Sequence, residues 1–321
     1  VTEITSWIVT AAAPKVISMA VSPVAPNRGG GPEIFQGAPM TTTMTPLLFV
    51  HGFWHGSWCW SEVLAHVADS GRQALAVDLA GHGLRARRPE SVTARPFSAE
   101  GLATEKSPVA DVDLDQAGDL LVSQIRRLGR GGPVTVVAHS MGGSVLTRAA
   151  EQAPELVAHA VYLAAFMPAS GVSAMECAMM PENAGELIAP SVRADPMAVG
   201  ALRLDTISTE PEYRDQLRRA FYGDLDPADA DAALGLLTPD APAGIALGST
   251  TLTGDGWGSV PRTYVGCAQD MTIRPPLQRK FIDDADAAFP GNPTLTLGLD
   301  SAHSPFLSMP DRVAEIVAGL G

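Results

Sequence analysis

Residues 134–152, VTVVAHSMGGSVLTRAAEQ, limit the folds open to this chain more than any other stretch. Val134, Thr135, Val136 and Val137 are β-favouring and, with Ala138, make a run suited to a buried strand. From Gly142 onward the composition is helical. Only a sharp reversal joins the two, and Ser140 stands at its apex with small residues, Ala138 and Gly142, two positions to either side. Such a turn puts a non-glycine residue in a conformation costing about 1–3 kcal/mol, strain that clusters at functional positions. The small neighbours let strand and helix approach. Small-x-Ser-x-small is the pattern of a nucleophile elbow, here with Ala138 in place of the commoner glycine.

From residue 46 onward short apolar runs alternate with longer amphipathic stretches, the rhythm of an α/β fold with a mainly parallel sheet flanked by helices. The runs place strands at 46–50, 73–79, 134–138, 161–163, 262–266 and 294–299, and helices at 58–68, 114–128, 142–151, 276–288 and 310–320. Two segments break the rhythm. Residues 84–112, with Arg85, Arg87, Arg88 and Arg95, are too long for an ordinary turn and read as either a functional or a mobile loop. Residues 167–259 show helical stretches such as EPEYRDQLRRAFYG and no strand pattern, which predicts a helical cap inserted between core segments 46–166 and 260–321. Its methionines (Met167, Met175, Met179, Met180 and Met197) suit either a plain core or a pocket for a bulky apolar ligand.

Residues 1–45 mix short apolar runs with Pro14, Pro23, Pro26 and three successive glycines, and read as a tail. Glu3 and the Pro14-Lys15 pair oppose a secretory signal, so a cytoplasmic location is expected over export; Met40 offers an alternative start. Of 321 residues 46% are apolar, yet no stretch reaches the length of a membrane span. The formal charge of −13 opposes nucleic acid and anionic membranes as partners and fits a small molecule better. Cys59, Cys177 and Cys267 are too scattered for a disulfide framework or zinc site, and no metal or cofactor is expected.

A serine hydroxyl becomes a strong nucleophile only beside a base that a third group orients. His303 follows the last apolar run and precedes the final helix, where the order serine, acid, histidine places that base. His66 and His159 fall within or beside helices. His51 and His55 have zinc spacing only if helical, and Gly52 and Gly56 argue for a loop. Asp270, directly after the run 262–266, is the chosen orienting acid; Asp300 competes, more plausibly as a brace for its turn, and Asp255 is a weaker rival. An oxyanion would need preorganised backbone N–H donors. Met141, after the serine, supplies one and Phe53, in the loop after the first strand, the other. Trp54, Phe166 and Met167 are candidate substrate contacts.

Together FVHGFWHGSWCW, VDLAGHG, VVAHSMGG, CAQD and AHSPFLSMP resemble the α/β-hydrolase superfamily, closest to its branch of plant methyl esterases, hydroxynitrile lyases and bacterial carboxylesterases. The likeness covers residues 46–166 and 260–321. It implies an α/β-hydrolase fold with Ser140 as nucleophile, His303 as base, Asp270 as its orienter, and Phe53 and Met141 as oxyanion donors. Lyases of that branch carry a lysine after the histidine and a threonine in the first loop; Ser304 and His51-Gly52-Phe53 stand there instead. A serine rather than an aspartate at 140 also argues against epoxide hydrolases and dehalogenases. The reading implied is an acyl-enzyme hydrolase of a small, largely apolar ester. Lactone, amide or carbon–carbon hydrolysis and a non-catalytic ligand-binding homologue are the alternatives.

Overall fold

The computed structural model describes residues 44–320. The tail reading of residues 1–45 therefore lies, but for its last two residues, outside the described part. Eight strands follow in chain order: β1 (Leu47–Val50), β2 (Ala74–Val77), β3 (Val134–His139), β4 (Val157–Leu163), β5 (Ala201–Arg203), β6 (Asp240–Pro242), β7 (Arg262–Cys267) and β8 (Leu295–Leu299). Six of them form one parallel sheet in the order β2-β1-β3-β4-β7-β8.

Alternation along the central strands sorts their side chains into two cores. Leu48, Val50, Val136 and Ala138 face one layer with Leu121 and Ile125 of the helix Leu114–Gly129, Val145 and Ala149 of Gly142–Gln152, and Phe281 of Pro275–Ala288. Leu47, Phe49, Val137 and Val161 face the other, with Val63 and Val67 of Ser61–Ala68 and Val313 and Val317 of Pro310–Ala318. Both faces are covered, which is why β1 is wholly apolar and β3 is buried throughout without a regular polar alternation. Each fully buried Leu, Val or Phe side chain contributes about 1.5–3 kcal/mol. The helix Leu114–Gly129 starts on a capping box, Asp113 accepting from Gln116 N–H at 2.8 Å, and stops at Arg130 in the left-handed region.

The sheet order reverses around β1, which has β2 on one side and β3 on the other. A crevice forms beyond the carboxyl ends of strands at such a switch point. His51-Gly52 leave β1 there, and Ser140 leaves β3 there.

The sequence reading needs correction in three places. β4 begins at Val157 rather than 161, so His159 lies on a strand, where it bonds Thr263 Oγ1 at 2.8 Å, and not beside a helix. Between β4 and β7 the chain is not purely helical: β5 and β6 pair antiparallel, with Arg203 opposite Asp240. Each is three residues long, too short to show a period of two. The buried Arg203 guanidinium grips both carboxylate oxygens of Asp240 at 2.7 and 2.8 Å. It also donates to the carbonyls of Leu102 at 2.7 Å and Glu105 at 2.8 Å. Those carbonyls belong to the 84–112 excursion, which carries the short helices Glu90–Thr93 and Ala99–Thr104 and is fastened to β5 rather than free.

Candidate active site

β3 delivers Ser140 at φ +53°, a left-handed conformation that a non-glycine residue rarely adopts. Its carbonyl accepts the N–H groups of Gly143 and Phe166, each at 3.0 Å, and these bonds hold the turn against its strain. A Cβ on Gly142 would lie 2.5 Å from the His51 carbonyl oxygen, and one on Gly143 would run into the Phe166 carbonyl. The two glycines after the serine thus let the elbow settle between the ends of β1 and β4. Ala138, fully buried, leaves the same freedom on the strand side.

Ser140 Oγ lies 3.0 Å from His303 Nε2, and His303 Nδ1 lies 2.8 Å from Asp270 Oδ2. All three side chains are buried. The Asp270 carboxylate also accepts the N–H groups of Thr272 at 2.7 Å and Ile273 at 2.9 Å on Oδ1, and Gln278 Nε2 at 3.3 Å on Oδ2. Every neighbour of that carboxylate is a donor, so the network assigns the histidine proton to Nδ1 and leaves Nε2 to accept from the serine hydroxyl. Asp300 instead accepts from Gln269 Nε2 at 2.9 Å, bracing its turn.

The loop after β1 is held by its own imidazoles. His51 Nδ1 donates to the Gly52 carbonyl at 2.7 Å while its Nε2 accepts Leu79 N–H at 3.1 Å. His55 Nδ1 donates to the Phe53 carbonyl at 2.9 Å, and Tyr222 Oη donates to His55 Nε2 at 2.8 Å. Burial holds His51 and His55 down to about 3, and His82, whose ring stacks on Phe53 at 5.4 Å, down to about 4, so these imidazoles are neutral spacers. The carbonyls of Gly52 and Phe53 are consumed in this way. Among the described residues neither Phe53 N–H nor Met141 N–H donates to any acceptor, and both residues border the space above Ser140. His51 and His55 lie in a loop, and among the described residues no group of three or more His, Cys, Asp or Glu is placed to hold a metal ion.

That space is a cavity enclosing about 650 Å³, in part open to solvent, with Ser140, Phe53, Met141, Trp54 and Phe166 in its wall. Trp54 is fixed there by its Nε1 donating to the Leu202 carbonyl at 3.0 Å and its own carbonyl accepting Thr238 N–H at 2.8 Å. Of the five methionines singled out between residues 167 and 197, Met175 and Met179 line the cavity. Met167 does not: the backbone after β4 turns Phe166 to the cavity and leaves Met167 buried in the core. Met180 packs against the core and Met197 is exposed.

Four supporting residues escaped the sequence reading. His139, next to the serine, donates from Nε2 to the His303 carbonyl at 2.8 Å, with its ring centroid 4.5 Å from that of His303. Burial, then the neighbouring imidazole, push it well below the ordinary histidine range. Asp224 accepts Ala302 N–H at 2.9 Å and steadies the same loop. Gln278 backs Asp270, and Tyr222 backs His55. Only adjacency to Ser140 could have flagged His139; the other three give no local signal.

Residues 47–316 match the model of the alpha/beta hydrolase family. Methylesterase 18 of Arabidopsis thaliana is 29% identical over 280 residues, which span 84% of this chain and 94% of that protein. A probable esterase of Oryza sativa is 29% identical over 248 residues, 74% of this chain and 83% of its own. Among solved structures, a pyrethroid hydrolase from Sphingobium faniae superposes with a TM-score of 0.64 at 21% identity, covering 85% of this chain and 96% of that one. A methylesterase from Arabidopsis superposes with a TM-score of 0.60 at 23% identity, covering 85% and 97%. The structural likenesses carry the same fold at low identity, and the family match spans sheet, elbow and histidine loop alike. The chain belongs to the alpha/beta hydrolase family.

Proposed function

We propose that this chain is a serine hydrolase of carboxylic esters working through an acyl-enzyme. The observation that carries the reading is the unbroken hydrogen-bond chain from Ser140 Oγ through His303 to Asp270, anchored on a left-handed serine. Ser140 Oγ attacks the ester carbonyl carbon as its proton passes to His303 Nε2. The carbonyl oxygen becomes an oxyanion beside the free N–H groups of Phe53 and Met141, each such donor being worth about 2.7–4 kcal/mol in a transition state. His303 then protonates the departing alkoxide, and the acyl group stays on Ser140. A water molecule gives a proton to the same nitrogen and attacks the acyl carbon; the bond from that carbon to Ser140 Oγ breaks as His303 returns the proton to Oγ, and the acid is released. Asp270 keeps the imidazole in the required tautomer and stabilises it when it is protonated. The relatives named methylesterase and esterase support an ester as the bond cleaved.

A fluorophosphonate probe tests this directly: it labels the wild type and fails to label Ser140→Ala. A p-nitrophenyl ester series should show turnover that falls at least about 10³-fold in that variant. Labelling that survives the substitution, or ligand binding with no turnover of any ester, refutes the reading.

A further inference from the structure

The cavity wall contains one full charge. Its polar side chains are those of Ser140, Asn183, Glu186 and Thr272; among the described residues no Lys, Arg or His contributes to it. All four make hydrogen bonds, and Ser140 Oγ is already paired with His303. Asn183 Nδ2 donates to the carbonyls of Ala178 at 3.2 Å and Thr272 at 3.3 Å, and its Oδ1 accepts Arg274 N–H at 2.8 Å. Thr272 Oγ1 donates to the Ala220 carbonyl at 2.8 Å. Glu186 differs from both. Its Oε2 accepts the N–H groups of Ile188 at 2.6 Å and Ala189 at 3.1 Å, and its Oε1 also accepts Ala189 N–H at 3.1 Å. Ile188 and Ala189 themselves line the cavity.

These donors orient the carboxylate without cancelling its charge. Among the described residues no cation pairs with it: the nearby Arg274 guanidinium donates to the Gly185 carbonyl at 3.2 Å and stands outside the wall. Burial pushes the carboxyl upward from its ordinary range, and the backbone donors oppose that shift. The rest of the lining is apolar, including Phe53, Trp54, Phe166, Ile188 and Leu202. Half-buried at the edge of such material, the charge is only partly screened by solvent, so its field reaches ligands it does not touch.

We propose that Glu186 makes this cavity selective by charge: it admits neutral or cationic esters and rejects esters whose acyl or alcohol part bears a carboxylate. The proposal rests on the esterase reading of Ser140. It also gives the residue a role after the chemistry, since the acid released from Ser140 becomes an anion in the same cavity and is repelled toward solvent.

The test is a matched set of p-nitrophenyl esters of one chain length: hexanoate, monoadipate and 6-(trimethylammonio)hexanoate. In the wild type, kcat/KM for the hexanoate exceeds that for the monoadipate by at least about tenfold, a size typical of a fixed charge at a partly buried site. In Glu186→Gln, which keeps an oxygen for the Ile188 and Ala189 donors, the anionic-to-neutral ratio rises at least about tenfold and the cationic-to-neutral ratio falls. Ala189→Lys, at an exposed position of the wall, raises the anionic ratio as well and serves if the glutamine variant fails to fold. Calorimetric binding of methyl hexanoate and monomethyl adipate to Ser140→Ala reads the same preference without turnover, which separates failure of the esterase reading from failure of the charge filter. Equal use of hexanoate and monoadipate by the wild type, or ratios unmoved in both variants, overturns the proposal.

Discussion

Gly52→Ala adds one methyl group beside the Ser140 side chain, and its effect can be worked from the geometry. An ideal Cβ at position 52 lies 2.5 Å from Ser140 Cβ, 3.1 Å from Ser140 Oγ and 3.2 Å from His139 Nδ1. Ordinary van der Waals contact begins at 3.4 Å, so the nearest of these is about 0.9 Å too close. The φ of Gly52 is not in the left-handed region, so the substitution adds no backbone strain and the cost is purely steric. Neither side yields easily. The loop is tied by His51 and His55, and the elbow is tied through the Ser140 carbonyl. Overpacking of this kind costs about 1–3 kcal/mol, which for a domain of this size lowers the thermal midpoint by roughly 2–12 °C. The larger effect is on chemistry, because a displacement near 1 Å between reacting groups costs about 10²-fold in rate. The assay is kcat/KM on a p-nitrophenyl ester together with the rate of fluorophosphonate labelling, with thermal unfolding as the folding control. Activity and labelling both within threefold of wild type, in a variant whose melting is unchanged, would refute the claim that Gly52 is required by the close approach of the serine.

Acid should weaken the fold before the carboxylates titrate. His51 and His55 are held down to about 3 and His82 to about 4 by burial, whereas the unfolded chain protonates all three near the ordinary 6.5. The unfolded state therefore binds more protons between these limits, so stability is intact above about pH 6.5 and declines toward pH 4 at roughly 4 kcal/mol per pH unit, read as a falling thermal midpoint. A midpoint that stays level from pH 7 to pH 5 contradicts the burial of these rings. Arg203→Leu leaves Asp240 buried without its counter-charge, and denaturant unfolding should show a loss of about 3–5 kcal/mol. A loss below about 1 kcal/mol would mean that the pair is hydrated in solution.

The sheet was legible in the sequence because the central strands β1, β3 and β4 are buried on both faces and read as apolar runs, and the edge strands β2 and β8 still carry enough Leu, Ala and Val to show as short ones. The sequence shows β4 too short because His159 interrupts its apolar stretch and Ala158 bulges out of register, while His159 pairs with Thr135 and Val157 with Val134. β5 and β6 were unreadable: ALR and DAP carry no periodicity, and what holds them together is an ion pair between residues 203 and 240. At the site, Ser140, His303 and Asp270 stand within hydrogen-bond reach as their positions in the chain suggested, since each follows the end of a strand. The supporting residues depend on folded proximity alone. His139 meets a carbonyl 164 positions away, and Glu186 becomes notable only when the wall around it proves to hold no cation among the described residues. Met167 failed for a related reason: composition names a residue as apolar but does not say which way the backbone turns it.

The guanidinium that joins β5, β6 and the stretch around residues 102–105 gives these distant pieces a shared fate. Detaching any one of them strands a charge or a carbonyl away from water, so none has a low-energy route to fray by itself. Amide exchange in the native state should accordingly report one common opening energy for Leu202, Ala241 and the backbone near Leu102, distinct from that of the central sheet. Trp54 hangs from the Leu202 carbonyl, so every such opening also loosens one wall of the cavity.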